Sequence, residues 1–199
     1  MITTANKYKQ ITIFCASSPN TPQLYIDAAY QLGGELAKRG IGCICGAGVS
    51  GLMAAVTDGA LAEGGHVIGV IPQFMVDNNW KHPNLSEEVI TDDMHSRKQY
   101  MNNNSDATIA LPGGVGTIEE LMEIICWRQL GLYHKPIVIV NIGGFFDPLI
   151  ALFENAISQS LMRKSDAKLW EVANTPEEAI DILLNYNVED FVTEGDKYK

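Results

Sequence analysis

Short apolar segments alternate with longer amphipathic segments along almost the whole chain. The apolar segments are rich in Ile and Val, which is typical of strands buried on both faces, and the segments between them have helical spacing. Strands are predicted at Ile11–Cys15, Ile41–Cys45, His66–Ile71, Ala107–Leu111 and Pro136–Asn141, and a further short strand could form near Glu88–Thr91. Helices are predicted at Pro22–Arg39, Gly51–Glu63, Met94–Asn104, Thr117–Leu130, Pro148–Ser160 and Pro176–Asn185. This alternation predicts a three-layer, doubly wound, Rossmann-like α/β fold with a parallel sheet.

The same pattern predicts a single domain. No repeat, low-complexity tract or linker rich in Gly, Pro or Ser divides the chain. The domain is expected over residues 10–188, with tails at 1–9 and 189–199, and Asn78–Ser86 has the composition of a long loop. In such folds ligands bind at the carboxyl ends of the strands, so those ends are the places to look for chemistry.

Composition and charge exclude several classes of partner. A chain of 199 residues with 46% hydrophobic content can bury a sizeable core. A formal net charge of −10 argues against a nucleic-acid polymer, which usually requires a basic face. Residues 1–10 are polar, and no apolar run approaches the length that spans a membrane. We therefore expect a cytoplasmic protein with no membrane partner.

The four cysteines are Cys15, Cys43, Cys45 and Cys126, and none forms a CxxC pair. All four lie in apolar strand or helix segments, so we interpret them as reduced, buried residues of a cytosolic protein. A metal-binding pair at Cys43 and Cys45 is the alternative.

A glycine-rich turn directly follows the predicted strand at 107–111. Residues 112–120 have the sequence PGGVGTIEE, and the following helix is predicted to begin at Thr117. Glycines allow the backbone to approach a ligand closely, and a helix start offers N–H groups and a positive dipole end to an anion. The segment therefore predicts a phosphate site, although most glycine-rich turns are only turns.

A second glycine-rich turn, Gly46–Gly51, matches the pattern GxGxxG. A dinucleotide site would require an acidic residue at the end of the next strand, where the sequence is Val70–Gln73 with no acid. An NAD site is therefore rejected, and these glycines are interpreted as a tight turn whose N–H groups, that of Gly48 included, could still face a ligand. Ser17 belongs to a small polar segment after the first strand, at the same edge of the sheet.

Two cations lie next to an apolar stripe on one predicted helix. Met94 and Met101 mark one helix face, and Arg97 and Lys98 fall on either side of it. The planar guanidinium of Arg97 suits a phosphate or carboxylate, which favours a functional role. Lys98 could bind a ligand, or it could lie at the edge of the core with its ammonium group in water.

Glu120 also has two interpretations. By spacing it could form a capping box with Thr117, or it could act beside the proposed phosphate site. Glu120 shares a helix face with Ile124 and Trp127, and a second apolar face exists on the same helix. A helix that is apolar on two sides is expected to be covered on two sides. We therefore predict a homodimer in which a second subunit covers this face, beside the site.

Two motifs at a specific spacing carry a resemblance to a known family. These are DMHSRK at 93–98 and PGGVGTIEE at 112–120, supported by FCASS at 14–18 and GLM at 51–53. The chain resembles the Lonely Guy (LOG) family of cytokinin-activating nucleoside 5′-monophosphate phosphoribohydrolases, which was long mislabelled lysine decarboxylase. The likeness extends over about residues 10 to 185.

The resemblance implies roles for particular residues. Arg97 and Glu120 match the catalytic pair of the family, and Lys98 and the turn from Gly113 to Glu119 match its nucleotide-binding residues. The full set of candidate substrate-binding residues is Ser17, Gly48, Met94, Lys98, Pro112, Gly113, Gly114, Val115, Gly116, Thr117 and Glu119. LOG proteins are dimers with sites near the interface, and some assemble further.

Three positions depart from the pattern of the family. Asn79 stands where the family often has a Glu that contributes to the nucleotide site, and Cys126 stands where it has a Thr. Ala47 interrupts the usual run of three glycines after the second strand. These departures leave open the preference for base or ribose.

The expected reaction is hydrolysis of the N-glycosidic bond of a purine nucleoside 5′-monophosphate, which gives the free base and ribose 5-phosphate. Glu120 is the candidate to stabilise the cationic sugar and to direct a water molecule at C1′, and Arg97 to hold the ligand and balance the carboxylate. No metal or organic cofactor is required. AMP, a cytokinin ribotide and other purine nucleotides remain open as substrates.

Two other functions are considered for the same sequence. A non-catalytic nucleotide or molybdenum-cofactor carrier of the same fold would use the glycine-rich turn and would need no catalytic carboxylate. A lysine decarboxylase would need pyridoxal phosphate and a Schiff-base lysine, and no lysine in the sequence has a suitable context.

Overall fold

A computed structural model describes residues 7–187 of the chain. Within these residues a seven-stranded, all-parallel sheet is flanked by helices on both faces. The strands are β1 (Gln10–Phe14), β2 (Gly42–Cys45), β3 (Val67–Pro72), β4 (Glu87–Thr91), β5 (Ala107–Ala110), β6 (Ile137–Val140) and β7 (Glu171–Ala173). The α-helices are α1 (Gln23–Lys38), α2 (Gly51–Ala62), α3 (Gln73–Asp77), α4 (Met94–Asn103), α5 (Val115–Gln129), α6 (Asp147–Ser158) and α7 (Pro176–Asn185). Short 3-10 helices occupy Ile142–Gly144 and Lys164–Lys168.

The strand order reverses next to β1. The sheet runs β4-β3-β2-β1-β5-β6-β7, so the chain first builds one half outward from β1 and then returns to build the other half from β5. Thr12 of β1 pairs with Ile44 on one side and with Thr108 on the other. Loops that follow β1 and β5 diverge at such a reversal and leave a crevice at the carboxyl edge of the sheet.

Two apolar clusters cover the two faces of the sheet. In β1, Ile11 and Ile13 face the cluster formed with α1, α2 and α7, whereas Phe14 faces the cluster formed with α4, α5 and α6. Side chains alternate between the faces of a strand, and both faces are apolar here because both are covered. The predicted single-domain α/β fold with a parallel sheet is therefore confirmed.

The boundaries differ from the predicted ones in several places. Helix α5 begins at Val115, two residues earlier than predicted, because Gly114 is its N-cap. The edge strand β4 forms, but the sequence analysis missed the three-residue β7 and the five-residue α3. Elements this short contain too few positions to show a hydrophobic period.

The chain ends were predicted as tails at 1–9 and 189–199. Residues 1–6 and 188–199 lie outside the described residues. Tyr8, which precedes β1, is buried and donates a hydrogen bond from its hydroxyl to Leu183 O at 2.8 Å, so it packs against α7. Between residues 7 and 187, no helix combines the length and the apolar content that crossing a bilayer requires.

Candidate functional site

A cavity of about 590 Å³ opens at the carboxyl edge of the sheet, over the ends of β3, β2, β1 and β5. It is lined by Cys15, Ala16, Ser17, Ser18, Gly46, Gly48, Val49, Ser50, Met53, Ile71, Met75, Trp80, Met94, Arg97, Gly114, Val115, Gly116, Thr117 and Glu120. Residues from several separate parts of the sequence thus meet where the strand order reverses, as the fold predicts.

The start of α5 faces this cavity with open space around it. Gly114 is the N-cap of the helix, and its φ of −85° and ψ of −154° are extended rather than left-handed. A Cβ on Gly114 or on Gly116 would meet no atom within 4 Å, and Val115 is 86% exposed. Because the first N–H groups of a helix lack partners inside the helix, this start can receive an anion.

The other residues of the turn have a structural task. Pro112 O accepts a hydrogen bond from Ala16 N at 3.1 Å, which ties the ends of β1 and β5 together. A Cβ on Gly113 would overlap the Thr117 side chain, so a glycine is needed there. Neither Pro112 nor Gly113 lines the cavity.

The capping box between Thr117 and Glu120, the alternative that their spacing allowed, does not form. Because α5 begins at Val115, Thr117 is the third residue of the helix and lies buried against Gly113. No side chain caps the start of α5. Glu120 is therefore not required for capping.

Arg97 and Glu120 form a buried ion pair at the cavity wall. Arg97 Nη1 donates to Glu120 Oε1 at 2.6 Å, and the two side chains are only 4% and 6% exposed. Arg97 Nε donates to Val70 O at 3.0 Å, which fixes the plane of the guanidinium against the end of β3. Buried charges of this kind are tolerated only in pairs with further hydrogen bonds, so each residue requires the other.

Gly46 makes this arrangement possible. A Cβ at position 46 would overlap Arg97 Nη2 and would also press on the Met53 side chain. The sequence analysis interpreted the glycines at 46–51 as a tight turn, and the structure adds a reason for the first of them. The guanidinium of Arg97 occupies the space that a side chain at position 46 would fill.

Burial controls the ionisation of the acidic groups around the pair. Burial raises the pKa of Glu120 above its ordinary value, and the adjacent Arg97 guanidinium opposes that effect. The Glu120 carboxylate thus takes up a proton at a higher pH than an exposed glutamate would. Burial also raises the pKa of the Cys15 thiol, with a smaller contribution from the charge of Glu120, so Cys15 is a neutral lining group.

Lys98 does not line the cavity, and it bridges two helices instead. Its ammonium group contacts the Glu119 carboxylate and donates to Glu123 Oε1 at 3.0 Å, which joins α4 to α5. Burial lowers the pKa of Lys98, but its two carboxylate partners outweigh burial and the pKa is raised. Glu119, also a candidate, lies on the same side, outside the cavity lining.

The departures from the family pattern are also located. Ala47 has a φ of +62° and Asn79 a φ of +58°, in the left-handed region that normally favours glycine. Neither residue lines the cavity, although the neighbours Gly48 and Trp80 do.

Three cysteines behave as predicted and one does not. Cys15, Cys43 and Cys45 are buried and free, and burial raises the pKa of the Cys43 and Cys45 thiols, so both stay protonated. Thiolates are the form that binds metals, which disfavours the metal-pair interpretation. The expectation that Cys126 is buried was wrong, because its position on α5 faces outward.

The sequence analysis missed the apolar side of the cavity. Val49, Met53, Met75 and Trp80 all line it. Met53 lies on the predicted helix α2, but the other three lie in turns or in the five-residue α3, which show no hydrophobic period. The only signal was an aromatic residue, Trp80, in the middle of a polar segment predicted to be a loop.

The argument that Ile124 needs a second subunit to cover it was wrong. Ile124 is fully buried in the core of its own chain, and Trp127 is partly buried against the same cluster. Elsewhere on α5, Ile118 is 38% exposed, and Val115, which also lines the cavity, is 86% exposed. Apolar surface therefore does remain on this helix, at Ile118, at Val115 and at the partly buried Trp127, which was predicted together with Ile124.

Comparisons with known proteins point in one direction. The family model described as possible lysine decarboxylase matches residues 53–183. The probable cytokinin riboside 5'-monophosphate phosphoribohydrolase LOGL2 of Oryza sativa subsp. japonica is 39% identical over 182 residues, which cover 92% of this chain and 75% of that protein. The cytokinin riboside 5'-monophosphate phosphoribohydrolase LOG3 of Arabidopsis thaliana is 37% identical over 181 residues, which cover 91% of this chain and 84% of that protein.

A solved structure supports the fold independently. The molybdenum cofactor binding protein of Rippkaea orientalis matches with a TM-score of 0.68 at 21% identity, over 89% of this chain and 96% of that one. At this level of identity the match shows a shared fold.

The two glycine-rich turns should respond differently to the same substitution. We expect Gly46→Ala to lower the free energy of unfolding by about 1–3 kcal/mol, because its Cβ would displace the Arg97 guanidinium. Gly116→Ala is the matched control, because a Cβ there meets no atom within 4 Å and alanine is favoured over glycine inside a helix. The stability of this variant should not fall. Urea unfolding of both variants measures the difference, and equal stabilities would contradict the role assigned to Gly46.

Proposed function

This chain belongs to the LOG family, whose model carries the description possible lysine decarboxylase, and from that we propose that it is a phosphoribohydrolase. It hydrolyses the N-glycosidic bond of a purine nucleoside 5′-monophosphate, and AMP or an N6-substituted relative is the substrate. The names of its relatives support this class of substrate. The observation that carries the proposal is the buried pair of Arg97 and Glu120 in the wall of a cavity that also contains an open helix start.

The phosphate and the sugar have separate places in this scheme. The 5′-phosphate binds to the N–H groups at Gly114–Thr117, where a Cβ on Gly114 or Gly116 would find only open space. Phosphate binding then supplies the energy that orients the sugar against Glu120. Glu120 lies one helical turn beyond Thr117, and both line the same cavity.

Glu120 acts on the transition state. Breaking the bond between C1′ and the base leaves positive charge on the sugar, and a carboxylate in a dry site stabilises that charge strongly. The same carboxylate directs a water molecule at C1′. The oxygen of this water bonds to C1′ as the bond between C1′ and the base breaks. Arg97 holds the carboxylate in position through its Nη1 at 2.6 Å, and Val70 O holds Arg97.

A carrier of the same fold is the second candidate. It would bind its ligand at the start of α5 and would release it unchanged. A carrier gains nothing from a buried carboxylate close to an anion site, since that charge repels the ligand. The burial of Glu120 therefore favours the enzyme over the carrier.

The first prediction is that the protein releases adenine and ribose 5-phosphate from AMP but turns over adenosine poorly. Removing the phosphate removes the group that orients the sugar, so kcat/KM should fall by at least about 100-fold. Chromatographic detection of adenine measures both rates. Binding of AMP without any release of base would favour the carrier, and equal rates for the two substrates would overturn the role of the α5 start.

The second prediction concerns Glu120→Gln. Glutamine can still accept from Arg97 Nη1 but carries no negative charge, so kcat should fall by roughly 1000-fold or more while the affinity for AMP changes little. Glu154→Gln is the control, because Glu154 is exposed on α6 and lies outside the cavity lining. Steady-state kinetics with calorimetric binding measures both.

A pH profile tests the same role. Burial raises the pKa of Glu120 above the ordinary glutamate value of 4.5. As the pH is lowered, the wild-type kcat should therefore begin to fall at a higher pH than an exposed glutamate would give, because the carboxylate becomes protonated. Loss of the fold in Glu120→Gln, with unchanged activity of the folded fraction, would contradict a role in the transition state.

We further propose that two copies of the chain associate through α5. Exposed Ile118 and Val115 and partly buried Trp127 leave apolar surface on this helix, next to the cavity that contains Glu120. An apolar patch of this kind often marks an interface. A second subunit would shield the mouth of the cavity from water.

The third prediction follows from this surface. Ile118→Asp should shift the protein toward monomer and lower its activity, because a charge would have to be buried in the interface. Leu184→Asp is the control, since Leu184 is 42% exposed on α7, whose apolar face packs on the opposite side of the sheet. Sedimentation velocity together with activity measures the effect, and a fully active wild-type monomer would refute the proposal.

A further inference from the structure

Trp80 has an unusual environment for a tryptophan. It follows α3, it is one of the residues that line the cavity, and 51% of it is exposed. A large aromatic side chain gains little by remaining half in water, whereas at a binding site it offers a flat, rigid surface to a ligand. The role assigned above to Glu120 and the α5 start does not use Trp80.

The backbone around Trp80 is held in place on both sides. Trp80 N donates a hydrogen bond to Met75 O of α3 at 3.1 Å. Trp80 O accepts a hydrogen bond from Val49 N at 3.0 Å. Gly48 and Lys81 form an antiparallel bridge immediately beyond. Asn79, just before Trp80, adopts a φ of +58° and turns the chain toward this bridge.

His82 anchors the segment further. Its N donates to Ala47 O at 2.8 Å, and its buried ring lies 3.2 Å from the Asp58 carboxylate on α2. The segment from Asn79 to His82 is therefore clamped onto the turn after β2. Its attachment keeps the Trp80 ring at the cavity.

The order of the strands places Trp80 far from the phosphate site. The cavity runs along the strand ends in the order β3, β2, β1, β5, with Trp80 held against the turn after β2 and Gly114–Thr117 after β5. Neighbouring strands are about 4.8 Å apart, so Trp80 and the start of α5 are separated by roughly 10 Å. Glu120 and Arg97 line the same cavity, and Arg97 contacts both Glu120 on α5 and Val70 O at the end of β3.

This order matches the order of groups in a nucleotide. A phosphate at the α5 start puts the sugar beside Glu120 and directs the base toward β2 and β3. Met53, Met75 and Trp80 form the apolar side of the cavity there. A base is flat and aromatic, and base–aromatic stacking is a strong contact that tolerates substituents at the edge of the base.

We propose that Trp80 stacks on the base of the bound nucleotide and determines the preference for purines. This inference rests on the proposed function, since it assumes that the phosphate binds at the start of α5. A purine offers a larger face than a pyrimidine, so the ring selects by stacking area. Trp80 acts on binding of the base and leaves the bond-breaking groups unchanged.

The test compares a ligand that has a base with one that lacks it. AMP and ribose 5-phosphate are titrated calorimetrically into Glu120→Gln and into the double variant Glu120→Gln, Trp80→Ala, so that no hydrolysis occurs. Loss of the ring should weaken AMP binding by about tenfold or more and leave ribose 5-phosphate within about twofold. The preference for AMP over CMP should fall in the same comparison.

Kinetics with the active enzyme provides a second measurement. In the otherwise wild-type chain, Trp80→Ala should raise KM for AMP with little change in kcat, and Trp80→Phe should keep most of the affinity because it keeps an aromatic face. Tyr30→Ala is the control, since Tyr30 is an exposed aromatic residue on α1 outside the cavity lining.

The outcomes distinguish this inference from the proposed function. Equal weakening of AMP and ribose 5-phosphate, or no weakening of either, would overturn stacking by Trp80. Failure of the wild-type protein to turn over any nucleotide would overturn the proposed activity, while a selective loss of AMP binding in the Trp80→Ala comparison would still support stacking.

Discussion

The buried ion pair of Arg97 and Glu120 joins the two halves of this fold. Arg97 comes from α4, after the strands built outward from β2 to β4, and Glu120 comes from α5, after β5. Two charges in the interior are tolerated because each satisfies the other, and removing one partner of such a pair typically costs about 3–5 kcal/mol. The need to hold this pair in the interior explains two nearby features. Position 46 has no side chain, which leaves room for the Arg97 guanidinium, and Val70 O accepts a hydrogen bond from Arg97 Nε.

The two glycine-rich turns show how the same residue type serves two purposes. At Gly46 the missing side chain makes room for a guanidinium of the protein itself, so the space is filled. At Gly114 and Gly116 the missing side chains leave space that the protein does not fill. The first turn therefore supports a rigid wall, and the second leaves the start of α5 accessible to an anion.

Lys98 illustrates how adjacent residues on one helix separate in function. Arg97 faces the cavity, whereas Lys98, one residue further, turns toward α5 and pairs with Glu119 and Glu123. These contacts hold α4 and α5 together just outside the site. The arrangement at Glu120 thus rests on an inner ion pair and an outer one, both between the same two helices.

The sequence by itself determined the fold class, because hydrophobic periods and turn residues are local patterns that parallel strands and helices impose directly. It also singled out Arg97 and Glu120 as candidates, through their side-chain chemistry and the motif around them. The tertiary structure alone decided that the two are buried in direct contact, that Gly46 accommodates Arg97, and that Trp80 reaches the cavity. These facts depend on distances between residues remote in sequence, and no local pattern encodes such distances.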